Sequence, residues 1–251
     1  MNEKIFNESI RITRKRGFYE KYIKRILDII CALSAITLLG IIYIIVAILV
    51  RIKLGSPVIF KQPRPGMIDP KTGKERIFDM YKFRTMTDER DENGNLLPDE
   101  ERLTPFGKAL RATSLDEIPE AFNILKGDMS VIGPRPQLVK DMVFMTEKQR
   151  MRHTAKPGLS GLAQVKGRNA LSWENKLKWD LKYIENVKFS FDVWIVLETV
   201  RKVFVRSSIT ESNNEIDVTL DYGDWLLKKN KINFEIYKER QNLANNILNS
   251  R

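Results

Sequence analysis

The sequence predicts a mostly helical α/β protein: an N-terminal membrane helix that enters and leaves by one face, then a compact cytosolic domain with a small sheet and interfacial amphipathic helices. Three observations carry this. Residues 29–50 contain no charged side chain. Short segments at 58–60 and 77–86 read as strands. Residues 173–187 and 191–204 place Trp173, Trp179 and Trp194 among lysines and arginines at helical spacing, as helices at a membrane interface do. The chain accordingly divides into a basic segment at 1–20, the membrane helix at 21–54, a cytosolic domain at 55–205 and a C-terminal extension at 206–251.

A helix over 29–50 spans about 33 Å, enough for the roughly 30 Å hydrocarbon core of a bilayer. The run is too long for a cleavable signal peptide, and no small-residue cleavage pattern follows it. Arg11, Arg14, Lys15, Arg16, Lys21, Lys24 and Arg25 precede it, while Arg51, Lys53, Lys61 and Arg64 follow. Basic residues stay on the cytoplasmic side, so two basic flanks predict a segment that turns back inside the membrane. Gly40, near the middle, is the expected bend, and Ser34 and Thr37 are at hand to bond freed carbonyls.

The 251 residues suffice for one ordinary domain with accessories. Lys and Arg number 43 against 32 Asp and Glu, a net charge of +11 that points to an anionic partner. Cys31 is the single cysteine, which excludes an intrachain disulfide and suits a cytosolic domain. The one histidine, His153, excludes a His-rich zinc site.

Along the remaining chain, Arg64, Lys82 and Arg84 lie at strand ends where they are candidates to converge on one anion. Residues 87–101 form a charged loop around an Asn93-Gly94 turn. Their acidic spacing imitates a calcium loop, but Glu89 stands at the first ligand position and Pro98 interrupts, so a solvated loop is the reading. Helices are expected at 105–111, at 116–126 with Gly127 as its left-handed stop, at 138–153 and at 235–248. Residues 156–168 are a glycine-containing loop around a short strand, with neither a Walker lysine-serine pair nor a dinucleotide glycine fingerprint. The tail suggests no function.

Residues 111–137, RATSLDEIPEAFNILKGDMSVIGPRPQ, concentrate the polar chemistry. Asp116 and Glu117 are expected at a helix entrance, where the macrodipole favours an ionised carboxylate, and Ser114-x-x-Glu117 reads as a capping box. An ionised Asp is a competent nucleophile. Arg111, Lys126 and Arg135 add cations, and Pro134 and Pro136 stiffen the backbone that carries Arg135. Two adjacent carboxylates repel a pyrophosphate unless a divalent cation intervenes, and magnesium fits oxygen ligands.

In one order the chain carries KRILD at 24–28, SPVIFKQPRPG, YKFRTM, RLTPFGKALRATSLDEIPEAFNILKGDMSVIGPRPQ, RHTAKPGLSGLAQVKGRN and WDLKYIEN. This set resembles the bacterial sugar transferases, the small monotopic polyprenyl-phosphate phosphoglycosyl transferases, over residues 21–203. The resemblance implies a re-entrant anchor involving Lys24, Arg25, Asp28 and Gly40, set in the bacterial cytoplasmic membrane with the catalytic domain facing the cytosol. It implies a UDP-sugar donor, a polyprenyl (undecaprenyl) phosphate acceptor, membrane lipid as a further partner and no nucleic acid. Asp116 would attack the phosphorus nearest the sugar and Glu117 would hold Mg2+. Lys82, Arg84, Arg111, Arg135 and Arg168 match cationic positions assigned to phosphate or carrier binding. Where small members carry Ser-Pro in mid-membrane, this chain has Leu39-Gly40. The sugar and the glycan made from it, capsule or exopolysaccharide among them, stay open, as does a homo-oligomeric state. The alternative is a non-catalytic, membrane-tethered anion-binding module.

Overall fold

Apolar residues on all sides leave a helix without a polar stripe, and α1 (Lys24–Leu54) is such a helix, led in by a π-helical turn at Tyr19–Ile23. The computed structural model describes residues 14–167, 171–204 and 220–251. Leu38, Ile41 and Ile52 of α1 are 80%, 76% and 71% exposed. A contiguous apolar surface of that kind belongs in lipid. The expected bend at Gly40 does not interrupt α1, which continues as α-helix to Leu54. One glycine costs a helix only about 1 kcal/mol relative to alanine, and Leu and Ile flank it on both sides. Thr37 Oγ1 does donate back to the Leu33 carbonyl, at 2.9 Å.

By internal packing the chain divides into two units. One comprises residues 28–62 and 79–127. Its core joins Val46, Val50 and Leu54 from the last turns of α1 to Phe83 and Leu110, with Val58, Phe106, Leu115 and Ile118 packed against them. Short α2 (Asp99–Arg102) precedes α3 (Pro105–Thr113), whose N-cap Thr104 accepts from Gly107 N at 3.1 Å with Pro105 in the first turn. In the charged loop before α2, the Asp91 carboxylate accepts from the Asn93 and Asn95 amides, which closes the turn.

Ser114 corrects the capping-box expectation. It sits at φ 56 as the left-handed end of α3, and its side chain caps nothing. A 3-10 turn, Leu115–Glu117, comes next, and α4 (Glu120–Lys126) begins only after Pro119, ending at Gly127 with φ 90 as expected. Pro119 explains the displaced start: a proline lacks the N–H for a helix interior but suits its first turn.

The second unit comprises residues up to 27, 63–78 and from 128 onward. It holds two apolar clusters. One gathers Ile132, Leu162, Val165, Tyr183, Ile184 and Ile195 from β3 (Ser130–Ile132), α7 (Leu162–Gly167), α8 (Trp173–Glu185) and α9 (Phe189–Phe204). The other gathers Met142, Phe144, Trp173 and Leu177 with Tyr222 and Trp225 of α10 (Tyr222–Lys228) and Ala244 of α11 (Phe234–Asn249). The C-terminal helices, for which the sequence suggests no function, thus complete a core.

The expected single helix at 138–153 is instead α5 (Val139–Met142), α6 (Glu147–Arg150) and a 3-10 turn at Met151–Thr154. Thr146 restarts the chain, accepting from Gln149 N while its own N–H is taken by the Gln149 side chain. That reciprocal cap requires a non-helical Thr146.

Strands β1 (Ile59–Ile68) and β2 (Glu75–Phe83) form a two-stranded sheet. β1 outlasts the expected 58–60 because Pro63 and Pro65 are tolerated where every strand is an edge. β2 starts and stops earlier than 77–86, leaving Arg84 beyond its end.

A second, parallel pair joins β3 to β4 (Gly158–Ser160), with Ser130 opposite Gly158 and Ile132 opposite Ser160. Here the backbones touch: a Cβ on Gly158 would lie 2.0 Å from Gly133 N, and one on Gly161 would lie 2.1 Å from Gly133 O. Backbone cannot move aside as a side chain can. Gly158→Ala is therefore expected to destabilise by about 3 kcal/mol, read as a lowered thermal midpoint in detergent; a wild-type midpoint would contradict the contact.

Candidate active site

The acidic pair is placed by its apolar neighbours. Leu115 and Ile118 pack into the cluster built on the last turns of α1, so Asp116 and Glu117 are held beside the end of the apolar helix. Asp116 is buried, 8% exposed. Lys82 Nζ donates to Glu117 Oε1 at 2.7 Å and lies 3.3 Å from Glu120 Oε1. Lys82 itself is fixed through β2, because fully buried Asn123 on α4 accepts from Tyr81 N at 2.9 Å and donates to Asp79 O at 2.7 Å.

Burial raises the Asp116 carboxyl above its ordinary value; the Lys82 charge opposes this, Glu117 adds to it, and Arg111 opposes it again. This revises the expectation that a helix entrance keeps Asp116 ionised. The α-helix starts at Glu120, and the cations, rather than a macrodipole, offset the burial. A carboxylate whose proton is held more tightly is also the stronger nucleophile once ionised.

The other cations divide into groups. Arg111 is exposed and donates from Nε to Thr85 Oγ1 at 3.1 Å, with its charge felt at Asp116. Arg84 is buried and donates to the Ser56 and Met86 carbonyls at 2.7 and 2.8 Å, with Asp88 at 2.7 Å. Lys126 bonds the Tyr81 hydroxyl and lies 4.4 Å over its ring. All of these, with the acidic pair, belong to one unit.

Arg64 and Arg135 belong to the other. Arg64 donates to the Pro136 carbonyl at 3.0 Å. Burial lowers the Lys176 pKa, Asp141 opposes that, and Arg135 adds to it. Arg168 lies outside the described residues.

Of the residues expected to seat the anchor, Lys24 is buried in an ion pair with Asp192 of α9, which also accepts from the Tyr19 and Tyr183 hydroxyls at 2.8 Å each. Asp28 is buried, 4% exposed. Sequence reasoning misses Glu120, Asn123 and Asp192. Glu120 has a signal, since three residues beyond Glu117 it returns to the same side of a helical turn. Asp192 and Asn123 have none, because their partners are distant in sequence.

The donors at the acidic pair are carboxylate oxygens with no nitrogen or sulfur ligand among them, which suits magnesium. Among the described residues no three acidic, His or Cys side chains form a ready metal cage. Magnesium commonly binds through one or two carboxylates, completing its shell with substrate phosphates and water. Glu117 fits that role, provided Lys82 yields its hold on the same oxygen.

An apolar helix left largely exposed, with an acidic pair among cations on a turn packed against its last turns, is the mark of a membrane-associated protein. The chain belongs to the bacterial sugar transferase family, whose model matches residues 19–206. It is 48% identical over 192 residues to the uncharacterized sugar transferase EpsL of Bacillus subtilis (strain 168), covering 76% of this chain and 92% of that protein. It is 37% identical over 195 residues to a UDP-glucose:undecaprenyl-phosphate glucose-1-phosphate transferase of Klebsiella pneumoniae, covering 74% of this chain and 41% of the other. With a UDP-N-acetylgalactosamine-undecaprenyl-phosphate N-acetylgalactosaminephosphotransferase of Aeromonas hydrophila it shares 36% over 193 residues, 72% of this chain and 44% of that one. The chain thus spans less than half the length of the two relatives named for a reaction.

Proposed function

We propose that the chain transfers a sugar 1-phosphate from a UDP-sugar to polyprenyl (undecaprenyl) phosphate, releasing UMP and leaving a polyprenyl diphosphate sugar, an early membrane step of glycan assembly. The observation that carries this reading is the Asp116–Glu117 turn seated on the end of α1 with Lys82 and Arg111 around it.

An Asp116 oxygen attacks the phosphorus attached to the sugar, and the diphosphate bridge breaks with its electron pair leaving on UMP. The aspartyl phosphosugar so formed is then attacked by a phosphate oxygen of the carrier, which returns the carboxylate. Lys82 and Arg111 draw the anionic donor toward a buried carboxylate that would otherwise repel it. Glu117 would hold Mg2+, which when bound would supply charge neutralisation of the diphosphate. Arg84, Arg135 and Arg168 are proposed to bind phosphate or the carrier, and Lys24, Arg25 and Asp28 to seat the anchor.

The deciding experiment incubates the protein with labelled UDP-sugars, Mg2+ and undecaprenyl phosphate and follows UMP and lipid-linked sugar. A non-catalytic anion-binding module would give neither product, and a nucleotide-sugar hydrolase would release free sugar phosphate at full rate without carrier. EDTA is expected to abolish transfer and added Mg2+ to restore it; transfer under complete chelation would remove the metal from the mechanism.

The anchor is proposed to be re-entrant, holding the basic residues on both sides of α1 at the cytoplasmic face of the inner membrane. A cysteine placed at Asn7, with Cys31→Ser, is then expected to resist a membrane-impermeant maleimide in intact cells. Labelling from outside would establish a crossing instead.

A further inference from the structure

The turn Pro134-Arg135-Pro136 is held at every carbonyl. Two of its three residues lack an N–H. The Pro134 carbonyl accepts from Gly158 N at 3.0 Å, the Pro136 carbonyl from Arg64 Nη1 at 3.0 Å, and the Arg135 carbonyl from Arg152 Nη2. Just before it, Gly133 is wedged so tightly that a Cβ would lie 2.3 Å from the Lys156 carbonyl.

Arg152 is among the most buried side chains, 1% exposed, and each of its three guanidinium nitrogens is engaged. Nε and Nη2 donate to Asp180 Oδ2 at 2.9 and 2.7 Å, Nη2 also reaches the Arg135 carbonyl, and Nη1 lies 3.1 Å from His153 Nε2. His153 Nδ1 in turn lies 2.9 Å from Glu75 Oε1, and Arg150 bonds the same carboxylate. Burial lowers the His153 pKa, which suits a neutral ring accepting from Arg152 at Nε2 and donating at Nδ1. A buried ion pair of this kind is often no more stabilising than apolar residues of equal volume. Its distinctive product is geometry: a planar guanidinium, oriented by Asp180 and His153, aimed at one backbone oxygen.

We propose that Arg152, oriented by Asp180, is a positioning residue for Arg135, fixing the main chain beneath it so that its guanidinium meets a substrate phosphate already ordered. The proposal rests on the reading that Arg135 binds a phosphate in the transfer reaction. Arg152 touches no substrate; it removes the entropy that Arg135 would otherwise lose on binding.

The test is a double-mutant cycle on the full chain in detergent, measuring Kd by calorimetry separately for UDP and for undecaprenyl phosphate, with KM and kcat for transfer beside them. Arg135→Ala is expected to weaken one arm, which identifies the source of the phosphate. In that arm Arg152→Lys, which keeps the charge beside Asp180 but loses the fork, is expected to weaken binding about 10-fold. KM should rise with little change in kcat, and the double variant should bind no worse than Arg135→Ala alone. If Arg152→Lys does not fold, Arg152→Met with Asp180→Leu replaces the pair by apolar volume and enters the same cycle. Effects that multiply in the double variant, Arg135→Ala that weakens neither arm, or a positioning variant that binds as wild type would overturn the proposal. If wild type binds UDP and carrier but transfers nothing, the transfer reading fails while the binding cycle still decides the positioning role.

Discussion

Asp116→Asn is expected to lower sugar-phosphate transfer by at least about 10³-fold and, at pH 7, to raise the thermal midpoint above that of wild type. The loss comes from removing the nucleophile. The gain comes from burial, which lifts the Asp116 carboxyl above its ordinary value of 3.8. A carboxyl whose folded pKa exceeds its unfolded one binds its proton more tightly in the folded state, so its stabilisation is complete below 3.8 and is lost as pH rises through the folded value. At neutral pH the ionised Asp116 therefore counts against the fold, and a neutral amide of the same shape relieves it. The advantage of the variant should shrink as pH is lowered toward 3.8. Full activity in Asp116→Asn would remove Asp116 as nucleophile. A midpoint below wild type at pH 7 would show that the burial cost is fully offset by Lys82 and Arg111.

The contrast between the two halves of that prediction shows what is legible in the sequence. The long apolar helix, the left-handed stop at Gly127 and the terminal helix are readable because each depends on neighbours within a turn or two: composition, one glycine, a periodic face. The capping box at Ser114 misleads for the same reason. Local spacing cannot report that Ser114 is already committed to ending α3 in the left-handed region, with Leu115 and Ile118 beyond it packed into the cluster at the end of α1. The broken helix at 138–153 is readable in principle, since Thr146 and Gln149 stand at capping-box spacing, but the apolar Val143-Phe144-Met145 link between the pieces mimics continued helix. Lys82 beside Glu117, Asn123 across β2, and Arg152 beneath Arg135 join residues too far apart for any periodicity to connect.

Lys82 and Glu117 yield the second large effect, with opposite signs that a merely structural role would not produce. Lys82→Met is expected to lower kcat/KM for the UDP-sugar by about 10²-fold, as loss of one preorganised charge commonly does. The acid limb of its pH profile should move to higher pH, because the Lys82 charge is the largest influence opposing the effect of burial on Asp116. Glu117→Gln removes the neighbour whose negative charge raises Asp116 further, so its residual activity should show the limb moved to lower pH, alongside a weakened response to Mg2+. The limb of kcat/KM reports groups of the free enzyme, which makes it the proper readout for a carboxylate that must be ionised before donor arrives. Limbs that move together, or not at all, would mean that the group titrating in catalysis is not Asp116. Opposite movements would place Asp116 between a cation that keeps it available and a carboxylate that sharpens its basicity, on a turn packed against the last turns of α1.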